Sequence, residues 1–225
     1  LCKMRLSDEF LCAMFQYSSR QATSLAVATV RQSLMQRFVP TNIGFDAITR
    51  EDYIARHVTQ FANELYNPDP LTPRVIAIVD GTYTYIPKST NFRALRQSYS
   101  IHKGRHLIKP VLIVAPDGWI LNIQGPYFSD HRNNDAAILQ NEFEHDADRM
   151  RRWFQNNDII IIDRGYRDAI LLFERLGITW KMPALLNQNE RQLNTEDANE
   201  SRLVTKSRWV VEARNGHLRS IFKIF

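Results

Sequence analysis

The stretches VIAIVDG (75–81) and IIIIDRGY (159–166) decide the fold of this chain. Each begins with a continuous apolar run, which is typical of a strand buried on both faces. Each run ends at an aspartate, Asp80 or Asp163, that glycine closely follows. In open α/β sheets, ligands bind outside the carboxyl ends of the strands. We therefore predict that both aspartates lie on the same edge of a sheet. They are adjacent if the two strands are neighbours, and the sequence permits this arrangement without requiring it.

The sequence around these two strands predicts an α/β domain over residues 74–225. Residues 109–115 and 119–124 flank Pro116-Asp117-Gly118, a turn signal, because proline suits the turn and glycine accepts positive φ. A further short strand is expected at 178–182. The helices are expected at about 134–144, 147–156 and 167–176, and from Glu196 onward, with Gly177 as a C-cap. No helix stop signal precedes Phe225, so we expect the domain to be truncated at its C-terminus.

The N-terminal part, residues 1–66, predicts a small all-helical segment. Helical spacing of apolar residues covers 6–17, a capping box at Ser18 and Gln21 opens a helix over 21–38, and a third helix covers about 50–66. The first two are compatible with a helix-turn-helix or with a hairpin that simply packs. Three prolines, Pro68, Pro70 and Pro73, cannot continue a helix and make residues 67–73 a linker.

Composition excludes several classes of protein. The chain has 225 residues, of which 44% are hydrophobic and 24% charged, so it is neither collagen-like nor disordered throughout. Its longest aliphatic run, 75–79, is far too short for a membrane helix. Cys2 and Cys12 cannot form a disulfide framework or a four-ligand zinc site. We expect a soluble protein from a reducing compartment, and Leu1 in place of an initiator methionine suggests a piece of a longer protein.

The net charge of +5 is unevenly distributed. Residues 74–109 carry seven basic residues and one acid, and residues 201–225 carry six basic residues and one acid. Residues 110–200 carry nine basic and fifteen acidic residues. Two basic segments with a single carboxylate each are typical of a surface that meets nucleic-acid phosphate. A solvated face without a partner is the alternative.

Those single carboxylates are Asp80 and Glu212, and with Asp163 they form a candidate catalytic set. Helical phase places Glu212 on one face with Arg208 and Asn215. Three clustered carboxylates repel one another unless cations neutralise them, and Mg²⁺ or Mn²⁺ is the hard cation that carboxylate oxygens prefer. Two such ions support phosphodiester hydrolysis. Taken singly, each aspartate is also compatible with a loop opener, and Glu212 with an ion pair to Arg208.

Five motifs resemble the DDE endonuclease domain of Harbinger-type transposases: IVDGTY (78–83), YSIHKGRHLIKPVLIVAPDGWI (99–120), GPYFSD (125–130), IIIDRGY (160–166) and KSRWVVEARNGHLR (206–219). They occur in the order and spacing of that family. The resemblance implies an RNase H-like mixed sheet flanked by helices. It implies that Asp80, Asp163 and Glu212 are catalytic and hold a divalent metal, Mg²⁺ or Mn²⁺, as two ions.

The resemblance also implies a substrate and partners. DNA, either transposon ends or target DNA, is the expected partner, with a separate DNA-binding protein and a homo-oligomer as further candidates. The function implied is metal-dependent DNA cleavage, with strand transfer as a second step, in the nucleus or otherwise in the cytoplasm. The alternative is a domesticated relative that binds DNA or protein without cutting. Candidate DNA contacts are His102, Lys103, Arg105, His106, Lys109, Arg164, Arg208 and Arg214.

Other residues near these motifs carry simpler expectations. Asp130 is expected to cap the following helix, with an auxiliary acid as the alternative. Asp158 is expected to face solvent. Tyr99 and Trp119 are expected in the core, and Tyr166 is compatible with a packed ring or a DNA contact.

Overall fold

The computed structural model describes residues 6–130, 132–145, 149–185 and 192–222, which build a mixed sheet of seven strands. β1 lies at its centre, antiparallel to β4 on one side and parallel to β6 on the other. Helices pack on both faces, which confirms the predicted α/β fold class. The strands are β1 Ile76–Gly81, β2 Thr84–Tyr85, β3 Tyr99–Ser100, β4 Arg105–Val114, β5 Ile120–Phe128, β6 Ile159–Ile161 and β7 Thr179–Lys181.

The strand order is β2-β4-β1-β6-β7, and β3 and β5 also pair with β4. The β4–β5 hairpin turns at the predicted Pro116-Asp117-Gly118, where Gly118 has a φ of +87° and its N–H donates to the Ala115 carbonyl at 2.8 Å. A side chain other than glycine is disfavoured at that φ. The turn predicted from sequence is therefore present, with both strands longer than expected.

The register of β1 against β6 is what positions the candidate site. Ile76 pairs with Ile159 and Ile78 pairs with Ile161 in parallel. Asp80 comes two residues after Ile78, and Asp163 comes two residues after Ile161. The two buried strands are thus neighbours, and both aspartates lie at the same carboxyl-terminal edge.

The two sheet faces bury different helices because side chains alternate along a strand. Val75, Ala77 and Val79 pack in a core cluster with helices on one face, whereas Ile76 and Ile78 pack in a second cluster on the other. Asp80 continues the second set, so its side chain belongs to the face covered by α5 and α10. The helices are α1 Asp8–Met14, α2 Arg20–Ser33, α3 Val39–Asn42, α4 Arg50–His57, α5 Gln60–Tyr66, α6 Phe92–Ser98, α7 Asp135–His145, α8 Met150–Trp153, α9 Ile170–Leu176 and α10 Thr195–Ile221.

The N-terminal helices differ in detail from the prediction. α2 begins after Ser19, whose side chain accepts from Ala22 N–H, so the capping residue is Ser19 and not Ser18. At its other end, α2 continues through a π-helical turn at Leu34–Phe38 into α3. The single helix predicted over 50–66 is two helices, because Thr59 caps a new one by accepting from Ala62 N–H.

The helical segment shares the core of the sheet. Tyr53 of α4 is buried in the first core cluster and donates its hydroxyl to the Ile76 carbonyl at 2.8 Å, and Ala62 of α5 is buried in the second. The domain boundaries at 1–66, 67–73 and 74–225 remain predictions.

The expectation that Asp158 faces solvent is wrong. Its side chain is 2% exposed and accepts two hydrogen bonds from the Arg50 guanidinium, at 2.6 and 3.0 Å. It also accepts from the backbone N–H groups of Val75 and Gln155. Burial of a charge requires such pairing. Asp158 therefore ties α4 to the starts of β1 and β6.

Three smaller expectations also change. Tyr99 is 46% exposed rather than in the core, while Trp119 is partly buried and stacks on His57 at 4.5 Å between ring centroids. Of the helix predicted over 147–156, residues 147–148 lie outside the described residues, and the described part contains the short α8. Asn134, rather than Asp130, accepts from Ala137 N–H at the start of α7. None of the described helices meets the length and apolarity that a membrane crossing requires.

Candidate active site

Asp80 and Asp163 share one cation, the guanidinium of Arg208. Arg208 Nη2 donates to Asp80 Oδ1 at 3.1 Å and lies 3.6 Å from Asp163 Oδ2. Asp163 is also the N-cap of a 3₁₀ helix over Arg164–Ala169, because its Oδ1 accepts from Gly165 N–H at 2.7 Å. The two predicted aspartates are thus brought together, and a positive charge already bridges them.

Arg208 reaches the site from α10, whose Val204 and Val211 pack on the sheet. Glu212 follows Arg208 by one helical turn, as predicted, and its side chain is exposed. The alternative of an ion pair between Arg208 and Glu212 is not observed, because Arg208 is paired with the two aspartates instead. The charge of Glu212 nevertheless acts on Asp80.

A fourth carboxylate, Asp135, also belongs to this site and was missed by the sequence analysis. It opens α7, and its Oδ1 accepts from Lys109 Nζ at 3.1 Å. A Cβ on Gly81 would lie 2.7 Å from Asp135 Oδ1, and a Cβ on Gly165 would lie 3.0 Å from Asp135 Oδ2. The glycines after the two aspartates leave room for Asp135, and they were the sequence signal for a close approach.

Burial is the largest influence on the electrostatics of the site. Burial raises the pKa of Asp80 to about 6, Arg208 opposes the shift, and Asp163, Asp135 and Glu212 add to it. Burial likewise raises the pKa of the Tyr166 hydroxyl well above its usual value, and the nearby Asp135 raises it further. Arg208 therefore offsets only part of the combined effect of burial and the neighbouring carboxylates on the pKa of Asp80.

This shift predicts how the stability of the metal-free protein depends on pH. Asp80 binds its proton more tightly in the folded state, so its contribution to stability is largest below pH 4 and is lost as pH rises towards 6 and above. Between pH 4.5 and 7.5 we expect Asp80 alone to lower the free energy of unfolding by about 2 kcal/mol. Urea denaturation in EDTA measures this as a steeper loss in the wild type than in Asp80→Asn. Equal pH dependence in the two proteins would contradict the assignment.

The donor chemistry of the site fits a hard divalent cation. Asp80 and Asp163 offer carboxylate oxygens that share one cation, and beside them the Tyr166 hydroxyl and Arg208 Nε are buried with no hydrogen-bond partner in the described residues. Buried polar atoms without partners at such a place are consistent with a missing ligand or water. In the described part of the chain, no three His, Cys, Asp or Glu side chains are grouped closely enough to hold a metal. The fit of a divalent cation to this site therefore rests on the carboxylates of Asp80 and Asp163. Glu212 lies one helical turn beyond Arg208 and is not grouped with them.

The predicted basic arm lies around the turn between β3 and β4. His102, Lys103 and Arg105 are exposed there, and Lys103 and Arg105 lie over the rings of Tyr83 and Tyr85. His106 is half-buried and hydrogen-bonds to Ser98 through Nδ1 at 3.0 Å.

The other candidate DNA contacts have partners within the protein. Lys109 is 5% exposed and donates to Asp135 and the Asn133 carbonyl. Arg164 donates to the Ala184 carbonyl. Arg214 lies against Gly118 and donates to the Asp117 carbonyl. This turn follows Val114, which pairs with Ile78, and it therefore lies at the end of β4 away from Asp80. Contact of any of these residues with DNA remains a prediction.

Comparison with known proteins identifies the family. A family model described as DDE superfamily endonuclease matches residues 79–225. The chain belongs to the DDE superfamily endonucleases. The matched region contains all three predicted acids. Membership of this family identifies the mixed sheet and its helices as an RNase H-like fold. No curated protein and no solved structure matches the chain.

Proposed function

We propose that the chain is a metal-dependent DNA endonuclease of the Harbinger transposase type, which hydrolyses phosphodiester bonds and can go on to strand transfer. The observation that carries the proposal is the parallel pairing of β1 with β6, which sets Asp80 beside Asp163 under Arg208 of α10. The subfamily rests on the five motifs from IVDGTY (78–83) to KSRWVVEARNGHLR (206–219).

In this proposal Asp80, Asp163 and Glu212 hold two divalent ions, Mg²⁺ or Mn²⁺. When bound, such ions act as Lewis acids on the phosphodiester and lower the pKa of water. The protein's own residues prepare the site: the Gly165 N–H orients the Asp163 carboxylate, and the one positive charge of Arg208 offsets part of the negative charge of the two aspartates.

Lys109 and Asp135 supply the support next to these ligands. Lys109 is buried and pairs with Asp135, whose negative charge still adds to the raised pKa of Asp80. The pair thereby keeps β4 and the start of α7 together at the edge of the sheet.

A second candidate function is a domesticated factor that binds DNA or protein without cutting. The observation that favours it is the place of Arg208, because a guanidinium that bridges Asp80 and Asp163 holds the two carboxylates without any metal. All three acids of the family pattern are present, which favours the enzyme.

Plasmid nicking separates the two candidates. We expect the wild-type protein to convert supercoiled plasmid to open circles with Mg²⁺ or Mn²⁺ and not with EDTA, because the carboxylate site needs a divalent ion. DNA binding without nicking in either metal, by a protein shown to be folded, would exclude the endonuclease and favour the non-cutting factor.

The remaining parts of the proposal follow from the substrate. DNA is the partner, and nuclear residence follows from DNA as the substrate. A separate DNA-binding protein and a second copy of the chain are the additional partners implied by the Harbinger resemblance.

A further inference from the structure

A groove of about 1080 Å³ runs beside α6, between the β3–β4 turn and the residues that follow β5. Its lining combines basic side chains with exposed rings and aliphatic groups. The basic lining residues are Lys88, Arg93, Arg96, His102, His106 and Arg132.

Among the residues that the structure describes, the lysine and the arginines of the groove have no acidic partners. Lys88, Arg93, Arg96 and Arg132 make no salt bridge with any part of the chain that the structure describes, and Asp130 is the one described acid in the lining. Elsewhere on the surface some exposed arginines do pair, as in Arg56 with Asp52 and Arg175 with Glu144. Clustered like charges are unfavourable without a counter-charge, so the groove is suited to a polyanion.

The apolar side chains of the groove point to the kind of polyanion. Phe92 is 77% exposed and Ile101 is 91% exposed, and Tyr99 also lies open to solvent. Arginine side chains bind phosphate oxygens, and protein contacts to the DNA backbone also include its sugars, against which exposed rings and aliphatic groups can pack. This mixture fits the backbone of a nucleic acid better than an acidic protein surface.

One lining residue of the groove, His106, lies on the same sheet face as Asp80. Asp80 pairs with Leu112 of β4, and His106, which lines the groove, is six residues further along that strand. An even spacing keeps side chains on one face, and six residues of strand span about 20 Å. At 3.4 Å per base pair, this corresponds to about six base pairs of duplex DNA.

We propose that the α6 groove binds the sugar-phosphate backbone of duplex DNA about six base pairs from the bond cut at the Asp80–Asp163 site. The inference rests on the proposed endonuclease function and assigns Arg93 and Arg96 as phosphate contacts. It accounts for the basic charge of residues 74–109, most of which lies in or next to the groove.

The test is the salt dependence of binding to a labelled 20-base-pair duplex in EDTA, where no cleavage occurs. In Arg93→Gln/Arg96→Gln we expect the slope of log K against log salt to be reduced by about 1.8, because each phosphate contact contributes about 0.9. Arg56→Gln/Arg175→Gln removes the same charge from two exposed positions outside the groove and is expected to keep the wild-type slope. Thermal unfolding checks that both variants are folded.

An unchanged slope in the groove variant, or an equal reduction in both variants, would overturn the proposal. The outcome is independent of cleavage, since the binding measurement is made in EDTA, where no bond is cut. If the groove variant keeps the wild-type salt slope while the wild-type protein nicks plasmid, the groove proposal alone is rejected. If the groove variant shows the reduced slope but the wild-type protein does not nick plasmid, the endonuclease proposal alone is rejected.

Discussion

Replacing Asp163 by asparagine is expected to lower the rate of plasmid nicking by more than about a hundredfold, since even partners behind metal ligands cost 10–100-fold when they are removed. The variant loses the negative charge that neighbours Asp80 and Arg208 Nη2, and with it one ligand for a divalent ion. Nicking rates with Mg²⁺ and with Mn²⁺ measure the effect.

The asparagine variant is designed to keep the fold. Its side-chain oxygen can still accept from Gly165 N–H and cap the 3₁₀ helix, since asparagine and aspartate cap equally well. Asp168→Asn is the matched control, because Asp168 is exposed and pairs only loosely with Arg167 at 3.6 Å. Wild-type nicking by a folded Asp163→Asn protein would contradict the assignment of Asp163.

Replacing Asp158 by alanine is expected to lower the free energy of unfolding by about 3–5 kcal/mol. The change leaves the guanidinium of Arg50, which is 14% exposed, without its carboxylate, and it removes the acceptor of Val75 and Gln155 N–H. An uncompensated buried charge accounts for most of the cost. Urea denaturation of wild type and variant at the same pH measures the difference.

Asp46→Ala provides the matched control for this effect. Asp46 pairs with Arg149 at 2.7 Å, a distance similar to that of the Arg50 pair, but both side chains are more than 60% exposed. Exposed pairs contribute about 0–1 kcal/mol. A loss of less than about 1 kcal/mol in Asp158→Ala would show that the Arg50 pair does not hold α4 to the sheet.

The parts of the fold that were predicted from sequence are those with a local signal. The apolar runs at 75–79 and 159–162 identified buried strands, and the Pro116-Asp117-Gly118 turn identified the hairpin. The split between α4 and α5 also has a local signal, Thr59 as an N-cap, which a continuous apolar pattern over 50–66 obscured.

The residues that were missed or wrongly placed depend on contacts between distant parts of the chain. Asp158 was assigned to solvent because its partner, Arg50, lies 108 positions away. Asp135 looked like an ordinary first residue of a helix, and only the approach of α7 to Gly81 and Gly165 brings it to the site. From the sequence, an ion pair between Arg208 and Glu212, its neighbour on the helix, was one interpretation. In the fold, Arg208 pairs instead with Asp80 and Asp163, which lie at the carboxyl-terminal ends of two strands of the sheet.

The central claim is that Asp80 and Asp163 form a site for a divalent cation, and calorimetric titration with Mn²⁺ tests it most directly. We predict saturable binding by the wild type and by Asp168→Asn, and its loss in Asp163→Asn, with all three proteins shown to be folded by thermal unfolding. Equal saturable binding in Asp163→Asn, or none in the folded wild-type protein, would contradict the account.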